Sequence, residues 1–330
     1  MKNIVFVSLI ALVFLTCKPN NQTIEIEKVE SMQLAEAPIF NEDSAFAQLE
    51  KQLSFGPRVP NTAAHQEAAN YLQKILGHYA DTLIVQKAEL KAYDGTILKA
   101  SNIIGSFNLT AQKRILLAAH WDTRPFADQD EEGLTDPILG ANDGASGVAV
   151  LLEIARQLQL TPPEIGIDII LFDAEDYGQP AFSEDPFVRD SYCLGSQYWS
   201  KNPHIPNYQA DFGILLDMVG APNALFTHEG TSVNYANEYL HKVWSIAHAL
   251  GYNSYFSYLQ TNAITDDHLY VNAITGIPMI DIIQYDASTN SGFGWYWHTH
   301  DDNLDAIDKR TLKAVGQTVL QTIYQENQGL

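Results

Sequence analysis

The chain has 330 residues, 46% of them hydrophobic and 18% charged, which is the balance of a globular protein with a sizeable buried core. Its formal net charge of -21 repels nucleic-acid phosphates and anionic lipid, so no nucleic-acid partner is expected, while a cationic ligand such as a peptide's free α-amine is mildly attracted. Cysteine occurs only as Cys17 and Cys193, which excludes a thiolate-rich zinc site and leaves any metal to histidine and carboxylates.

Lys2 followed by the apolar run Ile4 to Leu15 reads as an export signal, too short to span a bilayer comfortably. The run ends in Phe14-Leu15-Thr16-Cys17, which resembles a bacterial lipoprotein processing site with Cys17 as the acylated N-terminus; an ordinary cleaved signal with an incidental cysteine is the alternative. Residues 1–17 are therefore read as a signal peptide, residues 18–42 as an acidic, aperiodic tether, and residues 43–330 as one catalytic domain. The expected location is across the inner membrane, in the periplasm or held at a membrane through a lipid on Cys17.

Ser44 to Leu53 and Ala63 to Leu76 carry apolar residues at helical spacing, separated by the proline-bearing turn Phe55 to Pro60. Arg114 to Ala119 is a short apolar run that suits a buried strand. Ala145 to Leu160 puts Val148, Leu151, Leu152, Ala155 and Leu158 on one helical face and stops before Pro162-Pro163. Strands are expected over Ile165 to Phe172, Phe212 to Met218 and Pro278 to Ile283, and helices over Asn234 to Leu250 and Asp305 to Glu326, the former closed by Gly251. This alternation predicts a single α/β domain with a central mixed, mostly parallel sheet flanked by helices on both faces.

In open α/β sheets ligands bind outside the carboxyl ends of the strands, and that is where the metal-capable residues fall. His120-Trp121-Asp122 follows the first buried strand; Asp143 lies in Gly140 to Ser146, which runs into a helix; Asp173-Ala174-Glu175-Asp176 and Asp217 follow the next two strands. Thr265-Asp266-Asp267-His268 opens a short helix, and Trp295 to Asp302 contains His298. Singly, each has an ordinary reading as an N-cap, a solvated acid or a surface histidine. Together, so many carboxylates on one sheet edge repel one another unless a cation neutralises them.

The order of these residues resembles the zinc-aminopeptidase superfamily from Phe55 to the C-terminus: His-x-Asp, a bridging Asp at a helix start, Glu-Glu or Glu-Asp, Asp, then a C-terminal His, matched by His120 and Asp122, Asp143, Glu175-Asp176, Asp217 and His298. The resemblance implies a cis Asp143–Gly144 peptide bond. Two branches share the scaffold. Leu215 to Asn223, Ile264 to His268 and Trp297 to Asn303 resemble the glutaminyl cyclase branch, whereas Gly140 to Val148 fits the aminopeptidases equally well.

For the cyclase branch the resemblance implies an acyltransferase that converts N-terminal glutamine of peptides to pyroglutamate with release of ammonia. It implies one Zn²⁺ as Lewis acid, held by Asp143, Asp176 and His298, with His120 a ligand only if a second metal binds. Glu175 would be the general base and acid, coupled to Asp266 and Asp217. Trp297, Ile264 and Trp121 would wall the substrate pocket. Asp176 stands where animal cyclases have Glu, and the differing loop Tyr177 to Tyr192 leaves one pocket aromatic unassigned. The alternative is a two-zinc aminopeptidase in which His120, Asp143 and Asp217 hold a second ion and Glu175 activates water. A non-catalytic binding protein with a relic site is a third reading, opposed by the retained Glu175.

Overall fold

The branched apolar runs that predict strands are buried along nearly their whole length, as a sheet covered on both faces requires. The computed structural model describes residues 32–329, so the export signal, Cys17 and the first part of the expected tether lie outside it. Its elements in chain order are α1 (Glu42–Leu53), α2 (Ala63–Tyr79), β1 (Thr82–Lys91), β2 (Ile97–Phe107), β3 (Arg114–His120), α3 (Ala145–Leu160) and β4 (Gly166–Phe172). There follow α4 (Leu194–Lys201), β5 (Phe212–Asp217), β6 (Phe226–His228), α5 (Gly230–Ala249), β7 (Phe256–Gln260), α6 (Asp267–Tyr270), β8 (Met279–Ile283) and α7 (Lys309–Gln328). Among the described residues no helix is long and apolar enough to cross a membrane.

The main sheet has six strands in the order β1-β2-β4-β3-β5-β8. β3 pairs in parallel with β4 and β5, and β5 with β8, while β1, β2 and β4 are joined antiparallel. The sheet is thus mixed and mostly parallel, as expected. Alternate side chains face opposite layers: Ile115, Leu117 and Ala119 of β3 pack into the core shared with α2, α3, α5 and α7, whereas Leu116 and Ala118 pack with Trp199 of α4 and Val271. β6 and β7 form a separate two-stranded sheet.

Sequence patterning finds the central strands and misses the edge. β1 is half-exposed, with Lys87, Glu89 and Lys91 along a sheet edge, so its apolar signal is diluted by the charges that protect edge strands. α5 begins earlier than the periodicity suggests, because the Glu229 carboxylate caps it by accepting the N–H groups of Thr231 and Ser232. The last expected helix is broken into a 3₁₀ turn over Leu304–Ala306 and α7, which Asp308 caps.

The tether boundary at residue 42 needs correction, because the chain from Met32 onward belongs to the fold. Ala35 and Phe40 are buried, and the backbone N–H groups of Ala35 and Phe40 donate to Gln325 Oε1 and Gln317 Oε1 of α7 at 3.0 and 2.8 Å. Gln321 and Gln317 return donations to the Ala35 and Pro38 carbonyls at 2.8 and 3.0 Å. Phe40 lies so close to Gly316 that a Cβ there would enter its ring. An aperiodic segment that docks by one aromatic and a ladder of glutamines leaves no signature in its own sequence. Phe40→Ala is expected to cost about 3–5 kcal/mol in urea unfolding, the range for emptying a buried aromatic site; a change within about 0.5 kcal/mol would show the segment to be a dispensable strap.

Candidate active site and metal centre

The loops at the carboxyl edge of β3 and β4 are each held by a buried carboxylate that serves the backbone rather than solvent. Asp122, just after β3, accepts the N–H groups of Glu175 and Asp176 at 3.0 and 3.2 Å, which fixes the β4 loop. Asp302 accepts the N–H groups of Asn142 and Asp143 at 2.7 and 3.1 Å. Asn142 Oδ1 in turn accepts the Gly220 N–H at 2.7 Å, and Ser146 Oγ the Val219 N–H at 3.0 Å, tying the start of α3 to the β5 loop. The Asp143–Gly144 peptide bond is cis, as expected. A side chain at position 144 would collide with the carbonyl and ring of His120, so glycine alone fits there. Ala174, Met218 and His298 all have left-handed backbone, with φ of 55°, 50° and 57°, each beside a residue of the site.

Two groups of metal-capable atoms share Asp143. Asp143, Asp176 and His298 offer donor atoms that all lie within 4.8 Å of one another, and so do His120, Asp143 and Asp217. His298 Nε2 stands 3.3 Å from Asp176 Oδ1 and 3.8 Å from Asp143 Oδ2. His120 Nε2 stands 2.9 Å from Asp143 Oδ1 and 3.2 Å from Asp217 Oδ1.

Behind the first group lies a support that residue patterns do not show. Arg124 is fully buried and grips Asp128 with two hydrogen bonds, Nε to Oδ1 at 2.7 Å and Nη2 to Oδ2 at 2.8 Å. It also donates to the Asp176 carbonyl at 3.0 Å. Asp128 Oδ1 faces His298 Nδ1 at 3.0 Å, off the line of an ideal hydrogen bond. A carboxylate at Nδ1 keeps the proton on that nitrogen and leaves the Nε2 lone pair toward Asp176 and Asp143. Burial alone would raise the Asp128 pKa, but Arg124 and His298 outweigh it and hold the carboxyl well below its usual range.

The pocket in front of these donors has a volume of about 260 Å³ and is lined by Asp143, Glu175, Asp176, Asp217, Ile264, Asp266, Trp297 and His298, all expected at the site. Tyr192, Met218, Thr265, Ile283 and Phe293 complete it. Tyr192 supplies the aromatic that the unassigned loop withheld, and Phe293 packs against Trp297 with ring centroids 4.9 Å apart. Trp297 stacks on His298 at 3.8 Å. His120 stands behind the pocket, out of its lining.

Trp121 is a correction. It is fully buried in the core, stacks on His65 at 4.4 Å and donates its indole N–H to the Ser101 carbonyl at 3.2 Å, so it walls no substrate pocket. Side chains alternate along an extended strand end, and the direction that carries His120 and Asp122 toward the site carries Trp121 away.

The electrostatics are dominated by burial. It pushes the Glu175 carboxyl well above its ordinary pKa; His120 opposes this, while Asp176, Asp266 and Asp267 add to it. Like-charge coupling to Asp217 is thus not the leading cause. Asp217 itself is pushed up to about 7 by burial and by Asp143 and Asp266, against the pull of His120. One Glu175 oxygen accepts the thiol of buried Cys193 at 3.1 Å, and Glu175, Cys193 and Asp266 have polar atoms within 4.8 Å of one another.

With this geometry in place, the similarities to known proteins become specific. A family model described as peptidase family M28 matches residues 102–323. The chain belongs to peptidase family M28. A Tannerella forsythia glutaminyl cyclase is 56% identical, with a TM-score of 0.85 over 87% of this chain and 99% of that one. A Zn-dependent exopeptidase from Parabacteroides distasonis is 54% identical, with a TM-score of 0.86 over 88% and 99%. Glutaminyl-peptide cyclotransferase from Bos taurus is 29% identical over 254 residues; the match takes in 68% of this chain and 66% of that protein's length.

A zinc-dependent neighbour within the M28 fold implies zinc, and the residues here fit it. Two carboxylates and an imidazole converge at separations suited to bonds of about 2.0–2.2 Å from one ion. Asp176 Oδ2 is buried with no hydrogen-bond partner, an arrangement that is costly unless a cation meets it. Asp128→Asn should therefore weaken zinc affinity about 10- to 100-fold in a chelator competition, by loosening His298. Unchanged affinity would limit the Arg124–Asp128 pair to holding the loop.

Proposed function

We propose that this M28 protein converts the N-terminal glutamine of peptides and proteins to pyroglutamate, releasing ammonia, with one zinc ion per chain. The observation that carries the reading is the position of Glu175, a half-buried carboxylate facing a pocket of about 260 Å³ whose walls are Ile264, Ile283, Phe293 and Trp297. That volume is below the roughly 300–1,000 Å³ of typical ligand sites, so the pocket suits one side chain and little water. The relatives named as glutaminyl cyclases in Tannerella forsythia and Bos taurus point the same way.

In this reading Asp143, Asp176 and His298 hold the ion. Zinc, when bound, supplies Lewis-acid polarisation of the glutamine γ-carbonyl. Trp297 and Ile264 fold the side chain back so that its own α-amine faces the carboxamide carbon, Cδ, which makes the attack intramolecular. Glu175 takes a proton from the attacking amine as the new C–N bond forms. It returns that proton to the departing amide nitrogen as the old C–N bond breaks, so ammonia leaves neutral. A carboxyl raised by burial suits this double duty, and Asp266 and Asp217, both raised, share protons with it and steady the intermediate's charge.

Incubation of the zinc-loaded protein with glutamine- and leucine-initiated peptides, followed by mass spectrometry, should show loss of ammonia from the first and an untouched second. Glu175→Gln should lower kcat about 10²- to 10⁴-fold while zinc content stays near one per chain. The convergence of His120, Asp143 and Asp217 favours a second reading, a two-zinc aminopeptidase. Release of free leucine together with two zinc ions per chain would establish it instead.

The same proposal places the enzyme beyond the inner membrane, in the periplasm or tethered through a lipid on Cys17, on the strength of the Lys2 to Leu15 signal. Cys17→Ser should move the protein from the membrane fraction to the soluble one. Unaltered partitioning would remove the anchor.

A further inference from the structure

We propose that a second cavity, beside the reaction pocket, receives the peptide chain that follows the substrate's N-terminal glutamine. This rests on the glutaminyl cyclase reading and extends it from the reacting residue to the main chain behind it. The cavity measures about 370 Å³ and shares Ile264, Ile283 and Phe293 with the reaction pocket, so these three side chains form a common sill. A substrate whose first residue fills the reaction pocket has only to cross that sill to enter it, and an extended residue advances about 3.3–3.6 Å.

The chemistry of the lining selects the ligand. Carboxamides of Gln260, Asn262, Gln284 and Asn290 line it, with the Ser291 hydroxyl, and no lysine or arginine does. Its one carboxylate, Glu229, is already engaged: Oε2 accepts the Thr231 N–H at 2.8 Å, and Oε1 meets the Ser232 N–H and His268 Nε2. In a protein of net charge -21, a cavity without a free charge is suited to neutral amides, the groups of a peptide main chain.

Gln284 is the built element. It is 7% exposed, and its Oε1 accepts the Tyr296 hydroxyl at 2.8 Å, which fixes the carboxamide and leaves its amide nitrogen without a partner among the described residues. Tyr296 precedes Trp297, a wall of the reaction pocket. The donor is thereby held in register with the site where glutamine reacts. Recognition through main-chain amides also predicts tolerance of many side chains at the second position.

The test is a length series of uncharged, C-terminally amidated substrates: glutamine amide, then glutamine followed by one, two or three alanines. KM should fall about 3- to 10-fold as the first alanines are added while kcat holds, the signature of binding shared by ground and transition states. Ser291→Trp, which fills the cavity from an exposed loop, should collapse the ratio of short- to long-substrate KM toward one. Asn262→Trp, from the opposite segment, should do the same, so a folding failure in one variant leaves the other to decide. Equal KM across the series in the wild-type protein, or a length dependence that survives both substitutions, would overturn the subsite while leaving the cyclase reading intact. No turnover of any glutamine substrate, glutamine amide included, would overturn the cyclase reading and the subsite with it.

Discussion

The structure is organised around the problem of keeping many carboxylates close together out of water. Asp143, Glu175, Asp176, Asp217 and Asp266 all border one pocket of about 260 Å³; the four aspartates are buried and Glu175 is half-buried. Isolated buried carboxylates are costly enough that they either take up protons or recruit positive partners. The fold supplies several kinds of compensation at once. Arg124 neutralises Asp128 and stands 3.5 Å from Asp176, His120 bridges Asp143 and Asp217, and the residual demand at Asp176 matches a zinc ion. At Asp267 and Asp281, burial and neighbouring carboxylates drive the carboxyl pKa well above its ordinary value, which favours the neutral acid.

Carboxylates also act here as scaffolding. Asp122 and Asp302 spend their lone pairs on the backbone N–H groups of Glu175, Asp176, Asn142 and Asp143, the four residues whose placement matters most for the chemistry. Arg58, likewise fully buried, holds the carbonyls of Trp121, Leu139 and Gly140 at 3.0, 2.8 and 2.8 Å. The reactive loops are therefore cross-braced to one another rather than standing as free connections. Such bracing is what a pocket needs if it is to exclude water and hold a side chain in a reactive fold.

This economy separates the two chemistries available to the scaffold. An open site leaves room for an attacking water, whereas apolar walls of Ile264, Ile283, Phe293 and Trp297 around a small pocket favour attack from within the substrate. The walls come from three separate segments, so the character of the pocket depends on how loops distant in sequence meet. Three of these side chains, Ile264, Ile283 and Phe293, also border the neighbouring amide-lined cavity.

The sequence by itself determined the central strands, the helices with clean apolar periodicity and the ordered donor set of His120, Asp143, Glu175, Asp176, Asp217, Asp266 and His298. These are legible because periodicity follows directly from burial, and because strand ends in a parallel sheet must present their loops on one edge. What only the tertiary structure decided were roles set by direction and by long-range pairing. Trp121 looked like a wall and is core, since a shift of one residue along extended backbone reverses where a side chain points. Tyr192 and Phe293 entered the pocket, Asp128 reached His298 across a long loop, and Met32–Asn41 docked on α7 through glutamine side chains. None of these leaves a local pattern, because each depends on a partner tens to hundreds of residues away whose position the chain fixes only when the whole core has packed.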